Sequence, residues 1–216
     1  MDDPIPPPSR PWQVLLLGGP SGTGKTAVSY RLARHFGIGI TEVDDFTVLL
    51  ERMTTPEQQP VLHWWRAHPA FHQVTAEAIM KQGLSVLEVM APGLEAVIAN
   101  HLESRTPIVL EGDYINPALA AQTTFAGIPN AGQVRALFLH EADEQQLLEN
   151  FLQREPEHGP QMKRARVSWL YGQWLKQEAE RYDLPVIAAR PWDTLFDRML
   201  AVLASPPTPR IHPAAS

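Results

Sequence analysis

Short apolar runs alternate along this chain with longer stretches in which apolar residues recur every three or four positions. The short runs are typical of buried strands and the periodic stretches of amphipathic helices. Their alternation predicts an α/β fold, a parallel sheet with helices on both faces. The predicted strands lie near Gln13–Leu17, Gly39–Val43, Ile108–Leu110, Val134–Leu139 and Pro185–Ala188. The predicted helices are Lys25–Phe36, Asp45–Met53, Asp143–Arg154, Arg164–Tyr182 and Trp192–Ala204.

A glycine-rich segment joins the first predicted strand to the first predicted helix. It satisfies the pattern G-x-x-x-x-G-K-[ST], in which glycines let backbone N–H groups point inward and the helix N-terminus favours an anion. Lys25 would place its charge near the β- and γ-phosphates of a nucleotide, and the Thr26 hydroxyl would bind Mg²⁺. The expected nucleotide-binding residues are Gly19, Pro20, Ser21, Gly22, Thr23, Gly24, Lys25 and Thr26.

Carboxylates follow the second and third predicted strands, at the sheet edge where this loop also opens. We expect Asp44 to be the base for an attacking hydroxyl and Asp45 to contact substrate, although either could instead cap the next helix. Glu111 comes first after the third apolar run, so we expect it on the metal side. Asp113 could meet substrate, or both acids could lie in a solvated turn at Gly112.

Together these motifs resemble those of P-loop small-molecule kinases, especially the uridine kinase and phosphoribulokinase type. The resemblance covers the loop at Gly19–Thr26, the segment Asp44-Asp45-Phe46 and the pair Glu111-Gly112. The layout is also similar to chloramphenicol phosphotransferase and to zeta-toxin kinases. It implies a three-layer P-loop fold with a five-stranded parallel sheet in the order 2-3-1-4-5, and ATP and Mg²⁺ as cofactors. It further implies that Asp44 is the base and that Glu111 holds magnesium with Thr26 and Asp44.

Basic residues follow the fourth predicted strand, where kinases of this fold place a mobile lid. For a lid at about residues 154–166 we expect Arg154 and Arg164 to reach the transferring phosphoryl group. Alternatively, these charges lie on a solvated helix start and pair with Glu155 or Glu157. After the fifth strand, Arg190 would stack on the nucleotide base or lie on the surface.

The interval from Thr54 to Thr106 is too long for a plain crossover between two strands. It contains two further helical stretches, around Ala70–Lys81 and Pro92–Ser104. Ligands of open α/β sheets bind at the carboxyl ends of the strands, so an insert leaving that edge can face the phosphates. We interpret residues 54–106 as a helical substrate-binding insert, in which Arg66 would bind an anionic acceptor.

Composition narrows the class of protein further. The net charge of −6 shows no excess of basic residues with which to bind a phosphate backbone, so no nucleic-acid partner is expected. Cysteine is absent, which removes disulfides and thiol chemistry and is compatible with the cytoplasm. No run approaches the length of a membrane-spanning helix, so no membrane is expected. Residues 1–11 and 205–216 are expected to be a flexible Pro-rich leader and a flexible tail around one kinase domain at 12–204.

These observations predict an ATP-dependent kinase that transfers the γ-phosphoryl group to a hydroxyl of a small molecule. The alternatives are a nucleotide-binding regulatory switch or slow NTPase, and a toxin-type kinase acting on a nucleotide sugar. The sequence leaves the acceptor and the oligomeric state open, a homodimer being one option.

Overall fold

The structure is a computed structural model that describes residues 8–70 and 73–205 of the 216-residue chain. Residues 1–7 of the predicted leader and 206–216 of the predicted tail therefore lie outside the described residues. The strands are β1 (Val14–Gly18), β2 (Gly39–Glu42), β3 (Ile108–Gly112), β4 (Thr124–Phe125), β5 (Ile128–Pro129), β6 (Val134–His140) and β7 (Val186–Ala188). Five of them pair in parallel in the order β2-β3-β1-β6-β7, which confirms the predicted order 2-3-1-4-5.

The helices surround this sheet in the alternation that the sequence predicts. They are α1 (Lys25–Phe36), α2 (Val43–Met53), α3 (Trp64–Ala67), α4 (Ala76–Ser104), α5 (Pro117–Ala120), α6 (Glu144–Arg154), α7 (Met162–Arg181) and α8 (Trp192–Ala204). A 3₁₀ turn, Pro156–His158, connects α6 to α7. Helix α1 follows the glycine-rich loop directly and ends at Phe36; its C-cap is Gly37, whose left-handed conformation (φ 60°) is one that glycine adopts readily.

Residues of β1 alternate between two hydrophobic cores, one on each face of the sheet. Leu16 packs in a core that includes residues of α4 and α7, whereas Leu15 packs in a core that includes residues of α1 and α8. Both side chains are buried, as expected for a strand covered on both faces. The sheet is therefore the middle of three layers, and the carboxyl end of β1 delivers the glycine-rich loop to one edge.

The two helices predicted at Ala70–Lys81 and Pro92–Ser104 are wrong as separate elements. A single 29-residue helix, α4, continues through Pro92. A proline inside a helix removes a backbone hydrogen bond and costs roughly 3 kcal/mol. The helix continues because Met90, Leu94 and Ile98, on both sides of Pro92, are buried in one hydrophobic core.

Helix α4 also contradicts the prediction that no run approaches the length of a membrane-spanning helix. By length and composition alone it could cross a membrane, with 33% of its most apolar window buried inside the protein. A core helix satisfies the same criterion. Packing of Leu87, Leu94 and Ile98 in the core with β1 and β3 accounts for the apolar character of this helix.

Two boundaries change how the acidic residues are interpreted. Helix α2 begins at Val43, so Asp44 and Asp45 lie in its first turn and neither is the N-cap residue, which is Glu42. Strand β3 extends to Gly112, so Glu111 is buried in the sheet and does not lie in a solvated turn. The capping and solvated-turn alternatives are therefore wrong for Asp44 and for Glu111.

Candidate active site

The glycine-rich loop connects β1 to α1 at the carboxyl edge of the sheet. A Cβ atom on Gly19 would lie 2.8 Å from the Leu139 carbonyl oxygen, and one on Gly22 would lie 3.0 Å from the Phe151 ring. Both glycines have positive φ angles, so a larger residue would be strained as well as crowded. The N-terminus of α1 has no side-chain cap, which leaves its first N–H groups available to an anion.

The side chains of Lys25 and Thr26 contact two carboxylates at the end of β3. The Lys25 ammonium donates to Asp113 Oδ1 at 2.7 Å and to the Pro20 carbonyl oxygen at 3.0 Å. The Thr26 hydroxyl donates to Glu111 Oε1 at 2.7 Å. These bonds connect the loop to β3, because β1 and β3 are neighbours that pair Leu17 with Glu111.

Asp44 lies over the same strand end, in the first turn of α2. A Cβ atom placed on Gly112 would be 3.3 Å from Asp44 Oδ1. Burial, reinforced by the negative charges of Asp113 and Glu111, raises the pKa of Asp44 to about 6 although Lys25 opposes the shift. Asp44 as a whole residue is nevertheless exposed. A carboxylate with this pKa is suited to accept a proton near neutral pH.

The oxygen atoms at this edge match the preferences of magnesium. Thr26 offers a hydroxyl and Glu111 a carboxylate, with Asp44 beside them, and Mg²⁺ prefers oxygen ligands. Burial raises the pKa of Glu111, while Lys25 and the Thr26 hydrogen bond oppose that shift. The described residues contain no cluster of three or more His, Cys, Asp or Glu that could hold a metal. A magnesium ion here would accordingly depend on nucleotide phosphates and water for its remaining ligands, which is usual for this ion.

Gly112 permits the close approach of α2 to β3 on which the position of Asp44 depends. A Cβ atom there would lie 2.9 Å from the Val43 Cβ, so Gly112→Ala must displace the start of α2. We expect this variant to lower kcat/KM by on the order of tenfold to a hundredfold, because small misplacements of a catalytic group are costly. Steady-state kinetics at constant folded fraction would measure the effect.

Gly93→Ala is the matched control for that variant. A Cβ atom on Gly93 would meet no other atom within 4 Å, and the residue lies on the exposed face of α4. Alanine favours helix relative to glycine, so wild-type kinetics and unchanged or increased stability are expected. Equal kinetics for the two variants would show that the Gly112 contact does not position Asp44.

A cavity of about 350 Å³ borders the loop on the side of α1 and α8. Gly22 and Gly24 of the loop line it together with Asn150, Trp192 and Phe196. Its apolar walls and its position beside the phosphate loop suit a flat nucleotide base. Trp192 is the first residue of α8 and comes two positions after Arg190, which the sequence offered as the residue that stacks on the base.

Arg190 does not line this cavity, and its stacking on a nucleotide base stays a prediction. Its guanidinium lies 4.8 Å from the ring centre of Trp192 and donates to Asn150 Oδ1 at 3.0 Å. Asn150 in turn donates to the Gly22 carbonyl oxygen at 2.9 Å. Arg190 therefore contacts the loop through Asn150, a relay that no local sequence pattern reveals.

The predicted lid cations converge on one carboxylate. Arg154 and Arg164 each lie 2.7 Å from a Glu155 oxygen, which is the pairing that the sequence left as an alternative. Hydrogen bonds from Gln161 and Arg154 lower the pKa of Glu155 to about 2. Both guanidinium groups also lie over the Phe151 ring. Arg164 lies in the first turn of α7, close to the predicted start of that helix.

Another cavity, of about 240 Å³, opens between the loop, the end of β3, the insert and α7. Ser21 lines it from the loop, and Asp113 and Tyr114 line it from the end of β3. The insert contributes Trp65, Ile79, Met80, Gln82, Gly83 and Val86, and α7 contributes Arg164, Val167, Ser168 and Tyr171. We call this space the acceptor cavity. Its position beside Ser21 and Asp113 supports the interpretation of the insert as a substrate-binding region.

Two residues expected to bind substrate do not line the acceptor cavity. Arg66 is exposed on α3, and Asp45 is exposed on α2. Trp65, next to Arg66, lines the cavity instead, with its ring 4.8 Å from that of Trp64 in an edge-to-face contact. Helix α3 is too short for helical periodicity to show from the sequence which side chain points inward.

Tyr171 is a further residue of this site that the sequence did not reveal. Its hydroxyl donates to the Asp113 backbone carbonyl oxygen, and burial raises its pKa well above the ordinary value for tyrosine. The adjacent Gly172 packs close to the loop, since a Cβ atom there would lie 2.9 Å from Pro20 Cγ. Helix α7 thus contacts both the end of β3 and the phosphate loop.

No family model matches this chain. Among curated proteins, 2-phosphoglycerate kinase of Pyrococcus furiosus is 28% identical over 110 residues, which are 48% of this chain and 36% of that protein. The 2-phosphoglycerate kinase of Methanococcus maripaludis is 27% identical over 126 residues, 54% of this chain and 40% of that protein. The chain therefore spans well under half the length of these relatives.

Solved structures establish the fold. A gluconokinase from Sinorhizobium meliloti superposes with a TM-score of 0.50 at 18% identity, covering 91% of this chain and 94% of that one. A Thermus thermophilus protein gives a TM-score of 0.53 at 14% identity, covering 91% of this chain and 98% of that one. With the strand order and the loop, this likeness shows a P-loop kinase fold.

Proposed function

We propose that this protein is an ATP-dependent kinase that transfers the γ-phosphoryl group to a hydroxyl of a small molecule. The observation that carries the proposal is the convergence of Lys25, Thr26, Glu111 and Asp44 at one sheet edge, where Asp113, the partner of Lys25, lines the acceptor cavity. A nucleotide switch needs the phosphate loop but has no need of a base near an open acceptor cavity.

Each side chain has a defined task in this proposal. The loop N–H groups and Lys25 bind the β- and γ-phosphates. Asp44 accepts the proton of the acceptor hydroxyl or holds that hydroxyl toward the phosphorus. Thr26 and Glu111 would hold magnesium, which supplies neutralisation of the phosphate charge when bound. Asp44, expected from the sequence as a further ligand, is left free to take up the proton. Arg154 and Arg164 can add positive charge only by leaving Glu155.

The names of the relatives agree with this chemistry. The curated relatives are named as kinases of 2-phosphoglycerate and one solved structure as a gluconokinase, so both names denote hydroxylated acceptors. Within the fold, the motifs around Asp44 and Glu111 resemble those of uridine kinase and phosphoribulokinase, which supports the base and metal roles. Use of ATP in a cytoplasmic setting is part of the proposal.

Phosphorylated product is the direct test. Purified protein, ATP and Mg²⁺ are incubated with a broad panel of hydroxylated metabolites and nucleotide sugars, and both ADP and new phosphate esters are followed. We expect one class of acceptor to stimulate ADP release with equal formation of product. ADP release that no acceptor stimulates would contradict the kinase and favour a slow NTPase, while product from a nucleotide sugar alone would favour the toxin-type kinase.

The pKa of Asp44 predicts the pH dependence of this activity. The base must be ionised, so kcat/KM should be constant above about pH 6 and fall toward about tenfold per pH unit below it. The sign follows from the chemistry, since protonation removes the acceptor of the proton. Rates at limiting acceptor concentration between pH 4.5 and 8 would test this, with folding checked by circular dichroism. A profile with no acidic limb near pH 6 would contradict the assignment of Asp44.

A further inference from the structure

The acceptor cavity contains few charges for a site that would receive an anionic metabolite. Among the described residues that line it, the charged ones are Asp113 and Arg164. Asp113 presents a carboxylate, which repels an anion, and one of its oxygens is held by Lys25. Arg164 lies 2.7 Å from a Glu155 oxygen, so that carboxylate already offsets its charge.

The remaining lining is apolar or carries neutral hydrogen-bonding groups. Trp65, Ile79 and Val86 provide aromatic and aliphatic surface. Ser168 and Tyr171 provide hydroxyl groups, and Gln82 is fixed in place because its amide nitrogen donates to the Val61 carbonyl oxygen at 2.7 Å. Such a lining can orient hydroxyl groups and cover a ring, but it offers little to a carboxylate or a phosphate.

A larger cavity of about 690 Å³ continues outward from this space and shares Trp65, Ile79, Arg164 and Val167 with it. Its lining is also largely apolar, with Lys163 and Arg164 as the basic residues. Lys163 donates to the Val74 carbonyl oxygen at 3.0 Å. The apolar surface therefore extends past the reacting end of the acceptor, and one face of it is the Trp65 ring.

Resting on the phosphotransfer proposed above, we infer that the acceptor is an uncharged hydroxylated molecule with a ring or other apolar part that packs against Trp65. Taking an anionic group into the acceptor cavity would remove its hydration, and Arg164, the cation among the described residues that line it, is already paired with Glu155, so the transfer is costly. The carboxylates of Asp113, Asp44 and Glu111 nearby would repel an anionic acceptor and raise this free-energy cost further. The acceptor then differs from 2-phosphoglycerate, which carries both a carboxylate and a phosphate.

Matched pairs of acceptors that differ by one charged group test this inference. The panel includes 4-nitrophenyl glucoside with 4-nitrophenyl glucuronide, glucose with glucuronate, and a broad set of further neutral and anionic hydroxylated compounds, among them gluconate and 2-phosphoglycerate. Product is identified by mass spectrometry with ATP and Mg²⁺ present. We expect neutral members to be phosphorylated with kcat/KM on the order of tenfold or more above their anionic partners.

Gln82→Lys sharpens the test, because a lysine can still donate to the Val61 carbonyl oxygen while adding a positive charge to the cavity. This variant should shift the ratio of anionic to neutral kcat/KM upward by about tenfold, whereas Gln82→Met, which adds no charge, should leave that ratio unchanged. Preference of the wild type for anionic members, unchanged in Gln82→Lys, would overturn the inference and leave the kinase standing. Product from no member of the panel would contradict phosphotransfer itself, and with it the inference.

Discussion

Lys25→Ala is expected to abolish phosphotransfer, lowering kcat/KM by on the order of a thousandfold or more. Lys25 is only 6% exposed and holds the Pro20 carbonyl oxygen and Asp113 at the same time. Alanine removes the charge expected at the β- and γ-phosphates and leaves Asp113 without its partner in the loop. Binding of ATP by calorimetry and steady-state turnover would both report the loss.

Lys176→Ala is the matched control for this substitution. Lys176 is also on a helix and is paired with a carboxylate, Glu180, at 3.0 Å, but on the surface of α7 away from the three cavities. Exposed ion pairs of this kind contribute little, so wild-type binding and turnover are expected. Normal ATP binding and turnover by Lys25→Ala would refute the phosphate-loop interpretation itself.

Asp44→Asn should lower kcat by about a hundredfold to ten-thousandfold while ATP binding remains within a few-fold of the wild type. Asparagine preserves the shape of the side chain but cannot take up a proton at neutral pH. The acidic limb of the pH profile near pH 6 should disappear in the residual activity. Single-turnover measurements with a saturating acceptor would separate the chemical step from binding.

Asp45→Asn provides the comparison that distinguishes the two neighbouring acids. Asp44 and Asp45 are both exposed in the first turn of α2, and neither lines the acceptor cavity or the cavity beside Trp192, but the Asp44 carboxylate lies over Gly112 at the end of β3. A change within about threefold is expected, because an exposed charge near a helix N-terminus has only a small effect. A large loss in Asp45→Asn with near-normal Asp44→Asn would transfer the role of base to Asp45.

Local patterns were sufficient for the donor side of the site. The motif from Gly19 to Thr26 lies between a buried strand and a helix, and carboxyl ends of parallel strands meet at one edge. Those two facts predicted that Lys25, Thr26, Glu111 and Asp113 would lie together, as they do. The roles assigned to them remain predictions that the experiments above test.

The acceptor side could not be predicted in the same way, because its walls come from segments far apart in the chain. Arg66 was favoured over Trp65 on charge alone, and orientation within the short helix α3 decides which of them lines the cavity. Likewise, the sequence offered Arg190 as the residue that stacks on the nucleotide base, whereas Trp192 lines the neighbouring cavity and Arg190 is hydrogen-bonded to Asn150. Side-chain partners distant in sequence leave no periodic signal.

The sequence by itself determined the phosphate loop and the placing of acids at the ends of β2 and β3, since each depends on contiguous residues. The order of the parallel strands followed from the resemblance that these motifs carry to P-loop kinases. Only the tertiary structure decided that α4 passes unbroken through Pro92, that Arg154 and Arg164 share Glu155, and that the acceptor cavity has few charges. Those features arise from packing between distant segments, where burial in a common core and the pairing of charges outweigh local preference.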